Sequence, residues 1–172
     1  MNKQRIIKAV AAIVAITTFA SIQSSNSAVV TKLTTTQKAQ LQYLIEEEKL
    51  ARDVYLYLSS KVTTLKFSSI AKAEQTHITL LAGILKTYNL TNPTTGKAAG
   101  VFKDAKLQAL YKSLTKTGSA SVLAAWGVGV AVEELDISDI QKMLKTTWPA
   151  DAKFVLDRLL SGSQNHLVAF KG

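Results

Sequence analysis

Cysteine is absent from all 172 residues. That excludes disulfides, thiolate metal ligands and a lipoprotein anchor. Histidine occurs only twice, at His77 and His166, which leaves little material for a nucleophilic triad. There is no Gly-x-Ser-x-Gly elbow and no glycine loop able to cradle phosphate. Proline is limited to Pro93 and Pro149, and no convincing strand pair is visible. The formal charge of +9 comes from lysines scattered along the chain, without arginine clusters or interleaved aromatics. A nucleic-acid footprint is denser than this, so a solvated basic surface is expected.

No apolar run is long enough to favour a membrane span. The longest, residues 9–20, follows Lys3, Arg5 and Lys8 and precedes a small, polar stretch ending at Ala28. That order reads as a secretory signal peptide over residues 1–28, with an uncleaved N-terminal anchor as the alternative. Its removal takes away three positive charges and no negative ones. The expected location is secreted or periplasmic. Residues 29–35 read as a flexible lead-in, and residues 36–172 as one domain with a real core.

Within that domain the apolar period is helical throughout. Four long helices are predicted, over about 36–60, 68–88, 120–145 and 149–170. Ser68 is the expected N-cap of the second, with Phe67 stapled before it. Residues 91–119 form the longest connection and carry a short helix near 105–114. A link of that length can cross a bundle from end to end. The fold class is therefore all-α, an antiparallel four-helix bundle with one long crossover between the second and third long helices.

Polar residues interrupt the inner stripes. Glu48 lies among Leu41, Leu44, Ile45 and Tyr55. Glu74 and His77 lie between Ile70 and Leu81. Glu133 and Asp136, three apart, share a face with Val122, Trp126 and Ile140. His166 lies on a face with Val155 and Leu159. Glu46, Glu47 and Glu134 fall off these stripes and are expected in solvent. An ionised carboxylate costs several kcal/mol to bury unless a cation or strong hydrogen bonds offset it. A Glu from each of two helices and a Glu-x-x-His from each of the other two is how a bundle builds an internal di-metal site. Glu48, Glu74, His77, Glu133 and His166 supply most of that set, and carboxylate with imidazole suits iron or manganese. One position departs from it. Ser163 stands three residues before His166, where a Glu would be expected, and Asp136 is the candidate replacement. The competing reading is a metal-free polar layer in which Arg52, Tyr55 and Asn165 satisfy the acids. Gly162 admits a kink or a close backbone approach.

These residues resemble the ferritin-like superfamily. Glu48-x-x-Ala51-Arg52-x-x-Tyr55 and Phe67-x-x-x-Ala71-x-x-Glu74-x-x-His77 are similar to the first- and second-helix motifs of rubrerythrin-type proteins. More specifically, residues 36–171 resemble a bacterial and archaeal ferritin-like family, domain of unknown function 2202. Its hallmarks stand here as Glu46-Glu47-Glu48-Lys49-Leu50-Ala51-Arg52-Asp53, Ala73-Glu74-Gln75-Thr76-His77, Glu133-Glu134-Leu135-Asp136-Ile137 and Gly162-Ser163-Gln164-Asn165-His166. The resemblance implies a four-helix bundle with an iron or manganese site and no assigned reaction. Metal oxidation, or reduction of oxygen or peroxide, is the enzymatic expectation. Without a cysteine module the chain carries no electron donor of its own, so an external donor is expected. A homodimer is compatible with this reading, and nucleic acid is not an expected partner.

Overall fold

The computed structural model describes residues 32–172. The signal segment and residues 29–31 of the predicted lead-in lie outside the described residues. Five helices follow in order: α1 (Thr35–Ser59), α2 (Leu65–Thr87), α3 (Ala105–Gly118), α4 (Val122–Met143) and α5 (Ala150–Lys171). Among the described residues there is no strand, and no helix is long and apolar enough to cross a membrane.

Local chemistry sets the helix ends. Thr34 and Gln37 form a reciprocal capping box at the start of α1. Leu33 just before it is buried. The second long helix starts earlier than Ser68. Thr64 caps it by accepting from Lys66 N, while Ser68 donates to the Leu65 carbonyl from within the helix. Phe67 is consequently an interior core residue and not a staple. Asp104 caps α3 through Lys106 N and Leu107 N, and Ser121 caps α4 through Ala124 N. Pro149 occupies the N-cap of α5, one position before the expected first turn.

Two apolar clusters give the chain directions. One joins early α1 (Leu41, Leu44, Ile45), late α2 (Leu81, Leu85), late α4 (Ile140) and early α5 (Leu156, Leu159). The other joins late α1 (Val54, Leu58), early α2 (Phe67, Ile70), early α4 (Ala125, Val128) and late α5 (Phe170). Neighbouring helices therefore run antiparallel, and the link from α2 to α4 crosses from one end of the bundle to the other. The short α3 lies within this crossover and packs on α1 and α4.

The crossover is fastened to α1 by charged groups that sequence left in solvent or unassigned. Glu46 is buried, because its carboxylate accepts from Lys103 N at 2.5 Å. Lys49, 2 % exposed, donates to Asp53 Oδ2 at 2.5 Å and to the Ala98 carbonyl at 2.8 Å. Asp53 also accepts from Gly100 N at 2.8 Å and from Arg52. Gly100 has φ +74°, a left-handed conformation that glycine adopts without strain. Truncating Asp53 strands the buried Lys49 ammonium, and breaking a buried pair from one side is strongly destabilising. Asp53→Ala is expected to lower the unfolding free energy by about 3 kcal/mol in urea titration.

Candidate functional site

Between the two apolar clusters lies a layer of polar side chains. Glu48 from α1, Glu74 and His77 from α2, Glu133 and Asp136 from α4, and Ser163 from α5 are all buried there. His166 from α5 is nearly so, its side chain 11 % exposed. Every candidate residue named from sequence thus belongs to one layer. Val122, expected to share the α4 stripe, is instead 54 % exposed.

The contacts divide the layer into two overlapping groups. Nδ1 of His77 stands 3.1 Å from Glu48 Oε2 and 2.9 Å from Glu74 Oε2. Nδ1 of His166 stands 2.8 Å from Glu74 Oε1 and 3.6 Å from Glu133 Oε1. Ligand atoms of Glu48, Glu74 and His77 lie within 4.8 Å of one another, and so do those of Glu74, Glu133 and His166. Either group could hold a metal ion, and Glu74 belongs to both, one oxygen to each side.

Several of these atoms approach without pairing. Glu48 Oε1, Glu74 Oε1, Asp136 Oδ1 and His166 Nδ1 are buried and make no hydrogen bond. His166 Nδ1 and Glu74 Oε1 are close but out of line, as two ligands aimed at a common point would be. Orphaned buried polar atoms are rare in folded proteins and call for a partner. The four acids that surround them face only two imidazoles. Two divalent cations would balance four carboxylates with both imidazoles neutral. The donor set and the unfilled acceptors fit such ions.

The remaining members position this set. Tyr55 donates to Glu133 Oε1 at 2.6 Å, as the metal-free reading expected of it. Ser163 donates to Asp136 Oδ2 at 2.5 Å. Asp136 therefore projects toward the place where a Glu at 163 would have been, though it belongs to neither three-residue group. Gly162 is explained by His77. A Cβ there would sit 2.6 Å from His77 Cε1 and closer still to Nε2, so a side chain would drive the imidazole out of position. A glycine inside a helix weakens it by about 1 kcal/mol relative to alanine.

Of the groups expected to satisfy the acids without metal, Tyr55 is in the layer, and the other two are elsewhere. Arg52 turns to Asp53 and Gln75, and Asn165 is exposed. Tyr88 donates to Asp151 at the surface. Glu134 is exposed as expected, paired with Lys171. Glu47 is not: it is buried, facing Asp139 and Asp136 of α4. The signal for this was Asp139, three residues after Asp136 and so on the same helix face.

Burial and crowding set the proton affinities. Desolvation, then repulsion from neighbouring acids, raises Glu47 to about 9 and holds Glu48 well above the usual carboxylate range. Desolvation likewise lifts Glu133 and Asp136 to about 7, against the nearby His166 imidazole and a hydrogen bond from Ser163 respectively. Glu74 is the exception. Burial pushes it up, but the His166 and His77 imidazoles beside it outweigh that and bring it to about 2. Burial disfavours a charged His166, yet Glu133 and Glu74 raise it to about 9.

A group whose proton affinity rises on folding stabilises the fold below its unfolded pKa and loses that effect as pH rises through the folded value. Glu133, Asp136, Glu47 and His166 are of this kind, with folded values of about 7, 7, 9 and 9. Glu74, lowered to about 2, has the opposite sign and loses its contribution only in strong acid. The metal-free protein is therefore expected to melt at progressively lower temperature between about pH 5 and pH 9. Calorimetry on chelator-treated protein checks this, and a rising melting temperature across that window would contradict it.

Comparison with known proteins follows the same residues. A family described as an uncharacterized protein domain, DUF2202, matches residues 37–172. The uncharacterized protein MJ0754 of Methanocaldococcus jannaschii is 42% identical over 134 residues, covering 78% of this chain and 72% of its own. The crystal structure of hypothetical protein MJ0754 superimposes with a TM-score of 0.79 at 41% identity, over 81% of this chain and 79% of that one.

Proposed function

This chain belongs to the DUF2202 family, and from its buried acids and imidazoles we propose that it is a metal protein holding iron or manganese inside the helix bundle. The observation that carries the reading is the sharing of Glu74 between two ligand groups, its Oε2 beside His77 and its Oε1 2.8 Å from His166 Nδ1 without a hydrogen bond between them. Glu48 and His77 would hold one ion, Glu133 and His166 a second, with Glu74 between them. Bound iron or manganese would supply one-electron chemistry toward oxygen or peroxide, or be oxidised itself.

The protein's own residues do the rest. Tyr55 fixes Glu133 and presents a hydroxyl at one edge of the layer. Ser163 orients Asp136, which adds a fourth carboxylate beside the two groups. The apolar clusters above and below exclude water, which strengthens every electrostatic contact inside. A bound cation would compete with protons for Glu133 and His166, whose proton affinities are raised. Affinity is thus set to rise with pH. Electrons would come from an external donor, since the chain has no cysteine to ligate an iron–sulfur centre. The basic, small-residue-bounded N-terminus supports placing this chemistry outside the cytoplasm.

Elemental analysis of protein expressed in iron- or manganese-rich medium tests the reading. One to two ions per chain are expected, falling to none in Glu74→Ala and at least halved in His77→Ala, with both variants still folded by circular dichroism. Metal-free parent protein, with variants that lose only stability, would overturn it.

A further inference from the structure

One opening reaches the polar layer and a second stops one side chain short of it, and their chemistry differs. Between α2 and α5 a cavity of about 380 Å³ exposes His77 and His166 beside Arg158 and Asn165. No carboxylate lines it, and a guanidinium flanks it, so it repels a cation. Between α1 and α4 a cavity of about 350 Å³ is bounded by Tyr43, Gln40, Glu47, Asp139 and Lys142. Glu47 is common to this cavity and to a small void behind it lined by Asp136 and Leu107.

Glu47 is therefore the wall between solvent and the layer. It is 5 % exposed, and its Oε1 is buried without a partner. The groups it faces are further acids, Asp139 outside and Asp136 inside. Asp136 Oδ1 is likewise buried and unpartnered, and Asp136 in turn neighbours Glu48. A carboxylate does not ordinarily spend a buried position beside two other carboxylates, because like charges at short range repel strongly in a low dielectric. Such a file of oxygen atoms matches the needs of a divalent cation shedding its water stepwise.

We propose that Asp139, Glu47 and Asp136 form the loading path by which a hydrated divalent transition-metal ion passes from the α1/α4 cavity to the buried ligand groups. The inference rests on the proposed function. Asp139 is the outer station. Lys142 holds it at 2.7 Å in an exposed pair, and such pairs contribute little and are easily displaced. Glu47 is the inner station, a positioning residue for transit and not a ligand of the resident ion. Carboxylates that focus a cation at a cleft raise association rates by factors of about 10 to 1,000.

Stopped-flow absorbance with Co(II) alone, added to chelator-treated full-length protein, tests the path. Co(II) is redox-inert here, so uptake is read without turnover. Glu47→Gln and Asp139→Asn are expected to slow loading by about ten-fold or more while leaving the final cobalt content unchanged. Arg158→Gln, at the other opening, is expected to load at the parental rate. Asp139 lies at the rim, so its variant keeps the test standing even if Glu47→Gln folds poorly. Parental loading rates in Asp139→Asn, or in a folded Glu47→Gln, would overturn the path and leave the proposed function intact. A reduced final cobalt content in folded Glu47→Gln would also overturn it, making Glu47 a ligand of the bound ion. Failure of the parent to take up cobalt would instead remove the proposed function, and the path with it.

Discussion

Four carboxylates share a dry layer with two imidazoles, and the rest of the molecule is arranged around that imbalance. Glu48, Glu74, Glu133 and Asp136 cannot all be ionised at such depth without compensating positive charge. The two apolar clusters hold the layer at mid-bundle and keep water away from it. Tyr55 and Ser163 each satisfy one acceptor oxygen. Gly162 gives up a side chain so that the His77 ring can stay against Glu48 and Glu74. What these contacts leave is a set of lone pairs with nothing to accept.

Helix α1 serves three directions with one acidic run. Glu48 faces the centre. Glu46, Lys49 and Asp53 face the crossover and fasten its backbone, converting a long link into a fixed wall of the bundle. Glu47 faces α4. Adjacent residues on a helix point about 100° apart, so three consecutive glutamates necessarily meet three environments. Burial of all three is unusual for a charged run. It is accommodated because the crossover and α3 cover the side of α1 that an ordinary four-helix bundle would expose.

Much of this was legible in the chain. The helical period gave all four long helices, because apolar stripes report burial directly, and the length of the 91–119 link pointed to the crossover. The inner acids were legible for the same reason: Glu48, Glu74 and Glu133 interrupt stripes that are otherwise apolar, and the only two histidines do so as well. Glu46 and Glu47 were misread because their partners lie far along the chain, at Lys103 and Asp139, and periodicity within one helix carries no information about a covering loop. Arg52 was misassigned by the same limit. It lies near the inner stripe by spacing, but its long side chain reaches Asp53 and Gln75 instead. The start of α2 was set by Thr64, a cap that competes with Ser68 and wins because Phe67 is then carried into the core.

The most direct measurement is anomalous diffraction from crystals equilibrated with Mn(II) or Fe(II), recorded on either side of the metal absorption edge. Peaks are expected within the layer, one bounded by Glu48, Glu74 and His77 and one by Glu74, Glu133 and His166. A well-ordered layer with no anomalous density, its acids paired only with protonated imidazoles, would contradict it.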